Sequence, residues 1–202
     1  KEKKIIAYHE AGHAVVINAL PEGDPVQKVS IISRGMMGGF TRSLPTEDRS
    51  LESRKKLMAE MVGLLGGRAA EEIMFDDITS GASSDIERVT KLARTMVTRL
   101  GMSDKLGPMV YGQKEELVFL GREISEQRDY SEAVAQEIDR EVQRAVTEAY
   151  QSAKKILETH KDKLIAVAEK LLEVETITNE EFEAIFPPPV EKNQGIPVIA
   201  RA

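Results

Sequence analysis

Two of the three histidines in this 202-residue chain stand four residues apart, in His9-Glu10-Ala11-Gly12-His13. On a helix that spacing stacks the two imidazoles one turn apart on one face, so both can reach a single ion about 2 Å from each ring nitrogen. Glu10 is offset by about 100° around the axis. It flanks the histidine face, where it can act on a water beside the ion without ligating the ion itself. A pair of imidazoles with this adjacent carboxylate is the H-E-x-x-H arrangement of zinc-assisted peptide hydrolysis. The plain alternative is a helix that buries two hydrogen-bonded histidines in a core. Ile6, Val16 and Ile17 share the face, and an unpaired imidazole pair among them would be costly.

A hydrolytic zinc takes three protein ligands and keeps a fourth place for water. The chain has no cysteine, so the third ligand is the remaining histidine or one of 34 carboxylates. The extended motif that adds glycine and histidine three and six places further on is excluded, because those places hold Val16 and Ala19. His160 lies in Glu158-Thr159-His160-Lys161, which reads as a polar hairpin turn with a solvated imidazole. The carboxylates between the motif and the long helices are Glu71-Glu72, Asp76-Asp77 and Asp85. Asp85 opens a helix after a Gly-Ala-Ser-Ser turn, a rigid place for a short side chain, whereas Glu71 and Glu72 sit late on a glycine-containing helix. An acid at a helix start also complements the dipole with no metal present. Spacing alone leaves Asp85 and the glutamates open.

The elements that must position these groups follow from the apolar pattern. Lys1 to about Leu20 reads as one largely buried helix, stopped by Pro21 and Gly23. Val26–Ser33 and Met36–Leu44 read as two antiparallel strands. Leu51–Phe75 reads as a single helix, with Gly66-Gly67 marking close approach of a neighbour or ligand. After a polar loop, a helix from about Ser84 to Leu100 has Ser84 and Glu87 spaced as a capping box, with Gly101 as its stop. Residues 103–128 are irregular, with short apolar runs such as Leu117–Leu120. Tyr130–Val174 reads as a helical hairpin breaking near His160, its charge runs, such as Glu137–Glu141, lying on solvated faces or subunit contacts. Thr178-Asn179 caps a last short helix before Pro187-Pro188-Pro189. The expectation is a mainly α, α+β domain over 1–186 with a small antiparallel sheet, then an extended or disordered tail over 187–202.

Composition excludes several function classes. A net charge of −6 and 4% aromatic residues give neither a basic footprint nor stacking platforms for nucleic acid. Without cysteine the fold owes nothing to an oxidising compartment, which favours an intracellular setting. No run of about 18 apolar residues exists, so no direct membrane insertion is expected. Gly35-Met36-Met37-Gly38-Gly39 matches no nucleotide fingerprint, leaving ATP without a site in this stretch. The chain starts at Lys1 and reaches its motif within nine residues, as expected for a piece of something longer.

Four ordered runs carry a resemblance: His9-Glu10-Ala11-Gly12-His13-Ala14 after Ile5-Ile6-Ala7-Tyr8, Gly67-Arg68-Ala69-Ala70-Glu71-Glu72-Ile73, Thr79-Ser80-Gly81-Ala82-Ser83-Ser84-Asp85, and Leu106-Gly107-Pro108. From Lys1 to about Phe186 the chain resembles the peptidase domain of the FtsH-type, membrane-anchored AAA zinc proteases. The resemblance implies a zincin-like helical domain with a small sheet and a C-terminal helical hairpin. It implies one zinc held by His9, His13 and Asp85, with Glu71 beside the metal orienting a histidine. It also implies a homo-hexamer beneath an ATPase ring, ATP being bound only in an upstream domain absent from this stretch, on the cytoplasmic side of a bacterial inner membrane or the matching organelle face. Two departures stand out: Met36-Met37-Gly38 replaces the family's usual Ala-Leu-Gly, and Ser84 replaces its common asparagine.

The expected chemistry is peptide hydrolysis in unfolded or membrane-derived polypeptides, with Glu10 as the base. Gly38, Gly39, Phe40 and Thr41 are the candidate strand for pairing with an extended substrate; the competing reading is an edge strand covered by a neighbouring subunit. Two other classes are a structural zinc-bearing helical oligomerisation domain and a stand-alone zinc hydrolase of small substrates. Retention of Glu10 argues against the first, and the long helical half against the second.

Overall fold

The computed structural model describes residues 1–32, 38–44, 51–114 and 126–189. Its first element, α1 (Glu2–Ala19), is buried on every side from Ala7 to Val16, as expected of a helix without a polar face. It ends at Leu20, which is extended at φ −82° and ψ 130° because the residue before a proline is pushed out of the helical region. Strand β1 (Val26–Ser30) pairs antiparallel with β2 (Phe40–Ser43), Val29 facing Thr41 and Ser30 facing Phe40. Residues 33–37 lie outside the described residues, and so does the expected strand start at Met36. Near the chain's end, β5 (Thr176–Thr178) pairs antiparallel with the other edge of β1. The sheet order is β2-β1-β5, which leaves β2 on the outside.

The single helix expected over Leu51–Phe75 is two. Helix α2 (Arg54–Leu64) starts at Ser53, whose Oγ accepts the Lys56 N–H at 3.1 Å, and the chain turns at Leu65 (φ −87°, ψ −4°) into α3 (Gly66–Phe75). The turn carries α3 across α1 at a point where the two backbones touch. A Cβ on Gly12 would lie 2.4 Å from the Gly66 carbonyl oxygen, and one on Gly66 would lie 2.7 Å from that of Gly12. No larger residue fits either side.

A 3-10 turn, Ser80–Ala82, leads into α4 (Ser83–Thr98). The Ser84–Glu87 capping box does not form, because the turn delivers the chain already coiled and Ala82 takes the cap position. Thr79 caps the 3-10 turn instead, accepting the Gly81 N–H at 3.2 Å. Two-residue strands β3 (Gln113–Lys114) and β4 (Glu126–Gln127) pair antiparallel; the Leu117–Leu120 run between them lies outside the described residues.

Helices α5 (Glu132–Thr159) and α6 (Lys161–Val174) meet at His160, where φ −112° and ψ 33° break the helical path. Against expectation, that imidazole is half-buried, its ring centroid 4.8 Å from Phe186. Glu141 likewise leaves the solvated face assigned to its charge run: it is 1% exposed and accepts from Ser103 Oγ at 2.5 Å. Helix α7 (Asn179–Ile185) has the predicted start at Thr178, with Glu181 completing a capping box. Leu157, Leu164, Leu171, Ile177 and Phe182 are fully buried, each stabilising the fold by roughly 1.5–3 kcal/mol through removal from water. Asn18 Nδ2 donates to the Phe186 carbonyl at 2.9 Å, tying α1 to the end of the last helix. Among the described residues, no helix is long and apolar enough to cross a membrane.

Candidate metal centre

Helix α1 presents both motif histidines to α3, and each ring is fixed by a partner on its Nδ1. His13 Nδ1 lies 2.9 Å from the Gly63 carbonyl oxygen, which can only accept, so the proton sits on Nδ1. His9 Nδ1 lies 2.7 Å from Glu71 Oε1. Burial favours a neutral Glu71, but its bonds to His9 and Thr79 outweigh that and hold the carboxyl below its ordinary range. It is therefore an ionised acceptor, and His9 also donates from Nδ1. Both Nε2 lone pairs then point inward, 3.1 Å apart.

Asp85, in the first turn of α4, completes a triangle. Its Oδ2 lies 3.3 Å from His13 Nε2 and 3.5 Å from His9 Nε2. Three lone-pair atoms converge here, an arrangement that a bound cation or a proton would satisfy. For tetrahedral zinc with bonds of about 2.0–2.1 Å, neighbouring ligand atoms stand about 3.3–3.4 Å apart, which the three sides match within about 0.3 Å. The polypeptide alone already favours positive charge at this point. Burial disfavours an imidazolium, yet the hydrogen bonds to Asp85 and Glu71 override it and lift the His9 pKa to about 9. Burial likewise opposes ionisation of Asp85, but His13 and His9 keep its carboxyl well below the usual carboxylate range.

Room for an ion comes from α3. A Cβ on Gly67 would fall 2.4 Å from His9 Nε2 and 2.6 Å from His13 Nε2, so the missing side chain is what leaves the cradle open. The donor set and the space fit zinc.

The carboxylates left open by spacing separate cleanly. Glu71, 1% exposed, bridges two segments: Oε1 faces His9, and Oε2 accepts the Thr79 N–H at 2.7 Å, just before the turn that leads to Asp85. Glu72 points the other way, to Tyr150 Oη and, at 2.8 Å, Lys154 Nζ on α5. Asp76 ends α3 in the left-handed region at φ 52°, and Asp77 Oδ1 accepts the Ile78 N–H. His160 is outside the three-residue group.

Glu10 is buried beside the same centre, and Thr41 Oγ1 on β2 lies 2.8 Å from its Oε2. Together with His9, His13 and Asp85 it lines an open cleft of about 950 Å³. Gly38, Gly39, Phe40 and Thr41 form part of one wall, and Ile6 and Ile17 add apolar surface. Sequence reasoning missed the Gly63 carbonyl and the Thr79 N–H, because backbone groups carry no residue signature. The Gly66-Gly67 pair was the one legible sign that something approaches α3 closely.

The model of peptidase family M41 matches residues 1–185. The chain is 56% identical over 189 residues to the ATP-dependent zinc metalloprotease FtsH 1 of Thermomicrobium roseum, covering 94% of this chain and 29% of that protein. Over 200 residues it is 54% identical to the protein of the same name from Sphaerobacter thermophilus, covering 98% and 31%. Over 193 residues it is 52% identical to the ATP-dependent zinc metalloprotease FtsH of Thermotoga maritima, covering 95% and 32%. The chain thus spans about a third of the length of these curated relatives. With a family match over residues 1–185 and a histidine–aspartate group at its motif, the chain belongs to peptidase family M41.

Proposed function

We propose that this chain is the zinc endopeptidase domain, residues 1–186, of an ATP-dependent processive protease. The observation that carries the proposal is the convergence of His9 Nε2, His13 Nε2 and Asp85 Oδ2 on one point beside the carboxylate of Glu10. His9, His13 and Asp85 hold one zinc, and Glu71 orients His9 from behind. The chemistry a bound zinc supplies is Lewis acidity, which polarises a carbonyl and brings the pKa of a water at the site to about 7. Glu10 takes the proton of the attacking water as its oxygen adds to the scissile carbonyl carbon, then gives that proton to the amine nitrogen as the C–N bond breaks. A closed structural zinc site needs four protein ligands; among the described residues three converge, which favours catalysis.

Extended polypeptide binds along β2, from Gly38 to Thr41, by main-chain pairing that reads little of the sequence. The outer position of β2 and its place in the cleft wall support this reading. The substrates are unfolded or membrane-derived chains. The full protein is a homo-hexamer whose upstream ATPase binds ATP and unfolds them, set at the cytoplasmic face of a bacterial inner membrane or the matching organelle face. The names of the relatives support the zinc and the ATP dependence. Metal analysis joined to digestion of unfolded casein tests the proposal. About one zinc per chain, cleavage stopped by chelator and restored by zinc are expected; cleavage that survives complete metal removal overturns it.

A further inference from the structure

We infer that Thr41 is a positioning residue for the base, fixing which oxygen of Glu10 is left to take the proton. The inference rests on Glu10 being that base. Thr41 is locked in the sheet opposite fully buried Val29, and its β-branched side chain has little freedom at χ1. Its hydroxyl lies 2.8 Å from Glu10 Oε2 and 3.0 Å from the Glu10 main-chain oxygen, so its one proton is shared between side chain and backbone of the same residue. The other oxygen is treated differently. A Cβ on Gly39 would lie 2.9 Å from Oε1 and from Cγ of Glu10, and 2.8 Å from the Ser30 carbonyl oxygen. Among the described residues Oε1 receives no hydrogen bond.

The strand entry is therefore shaped around this carboxylate, with a hydroxyl on one oxygen and bare backbone against the other. A carboxylate 7% exposed with both oxygens free to rotate would spend much of its time misaimed, and a misplacement of about 1 Å can cost about a hundredfold in rate. Anchoring Oε2 leaves Oε1 as the proton acceptor. It also commits the side chain at position 41 to the enzyme, so that β2 can offer substrate its main chain but not this hydroxyl.

The test uses the zinc-loaded full-length protein, a short fluorogenic peptide, and the variants Thr41→Val and Thr41→Ser. Valine keeps the shape and removes the hydroxyl. It should lower kcat by about 10- to 100-fold with KM unchanged, a share of what general-base catalysis supplies, and serine should restore most of the loss. Two readouts are independent of turnover. Zinc affinity by chelator competition, and the affinity of the Glu10→Gln protein for an uncleaved extended peptide by fluorescence anisotropy, should both be unmoved by Thr41→Val. Weaker peptide binding with kcat retained makes Thr41 a substrate contact and overturns the inference. So does a serine variant as slow as valine, which would mean packing rather than hydrogen bonding, or no change at all. Cleavage by Glu10→Gln itself would instead remove the base assignment on which this rests.

Discussion

The α1–α3 crossing and the α5 helix both bury carboxylates, but they treat them in opposite ways. On α5, Glu141 is matched by its own donors: Ser103 Oγ at 2.5 Å, and Arg144 Nε and Nη2 at 3.0 and 3.1 Å. Glu72 is matched in the same manner by Tyr150 and Lys154. At the crossing, every partner supplied by the protein sits on the outer side. Glu71 and the Gly63 carbonyl take the Nδ1 protons, and the inner atoms of His9, His13 and Asp85 face one another with no donor between them other than a proton carried by an imidazole itself. Glu141 is satisfied by donors of its own, whereas the facing ring nitrogens and carboxylate at the crossing are the arrangement that the proposed zinc would satisfy.

The largest test of that contrast is Glu10→Gln. The amide keeps size and zinc but accepts no proton, so cleavage of unfolded casein should drop by about 10²- to 10⁴-fold with metal content unchanged. Full activity with zinc bound would reduce the inner carboxylate to a structural group like Glu141.

Gly67→Ala attacks the open space instead of a side chain. The added methyl falls within 2.4 and 2.6 Å of the two Nε2 atoms, whereas alanine is the better helix former. Zinc affinity measured by chelator competition should fall by more than about a hundredfold, beyond the usual cost of losing an outer partner. Thermal unfolding in excess chelator should also come at a lower temperature, because the rings can make room only by loosening their buried bonds to Glu71 and the Gly63 carbonyl. A variant that binds zinc normally would show that α3 does not bound the cradle.

Glu71→Ala asks whether the outer partners matter in their own right. Loss of the brace between His9 and the Thr79 segment should weaken zinc by about 10- to 100-fold without abolishing it. Asp85→Ala is the reference, since it removes a proposed ligand atom and should leave no stoichiometric metal. If the order of the two reverses, Glu71 holds the ion and Asp85 is the brace.

The same contrast explains which features were legible in the sequence. His9 and His13 could be placed on one face because i and i+4 is a local rule, and the Thr178–Glu181 start of α7 is local too. Asp85 could not be separated from Glu71 by spacing, because both reach the histidines across the chain and only the paths of α3 and α4 decide which arrives at the inner side. The third strand escaped notice, since Thr176–Thr178 is too short to show a period and its partner β1 is about 150 residues away. The helix break at Leu65 was hidden because a single residue at ψ −4° needs no special side chain. Glu141 looked solvated because its charged neighbours on α5 are, and its buried partner Ser103 lies 38 positions earlier.

The smallest expected effect belongs to the closed end. Glu141→Gln keeps the shape and removes the charge that Arg144 and Ser103 satisfy, and charge-assisted bonds of this kind contribute about 1.5–3 kcal/mol. The Arg144 side chain is 42% exposed, so solvent screening brings the expectation down to roughly 1–2 kcal/mol, measured by urea unfolding at pH 7. The Arg144 bond, working against burial and helped by Ser103, holds the folded-state pKa of Glu141 below its ordinary value. A carboxylate with a depressed pKa contributes its stability in full above the unfolded value of about 4.3, and the contribution disappears as pH falls through the lower folded value. The gap between wild type and variant should thus be constant from about pH 5 to 7 and shrink below about pH 4. The metal centre also titrates in acid, but it does so in both proteins and drops out of the difference. A gap that stays fixed into acid would mean that the glutamine costs packing rather than charge, and the matched pairing assigned to α5 would fail with it.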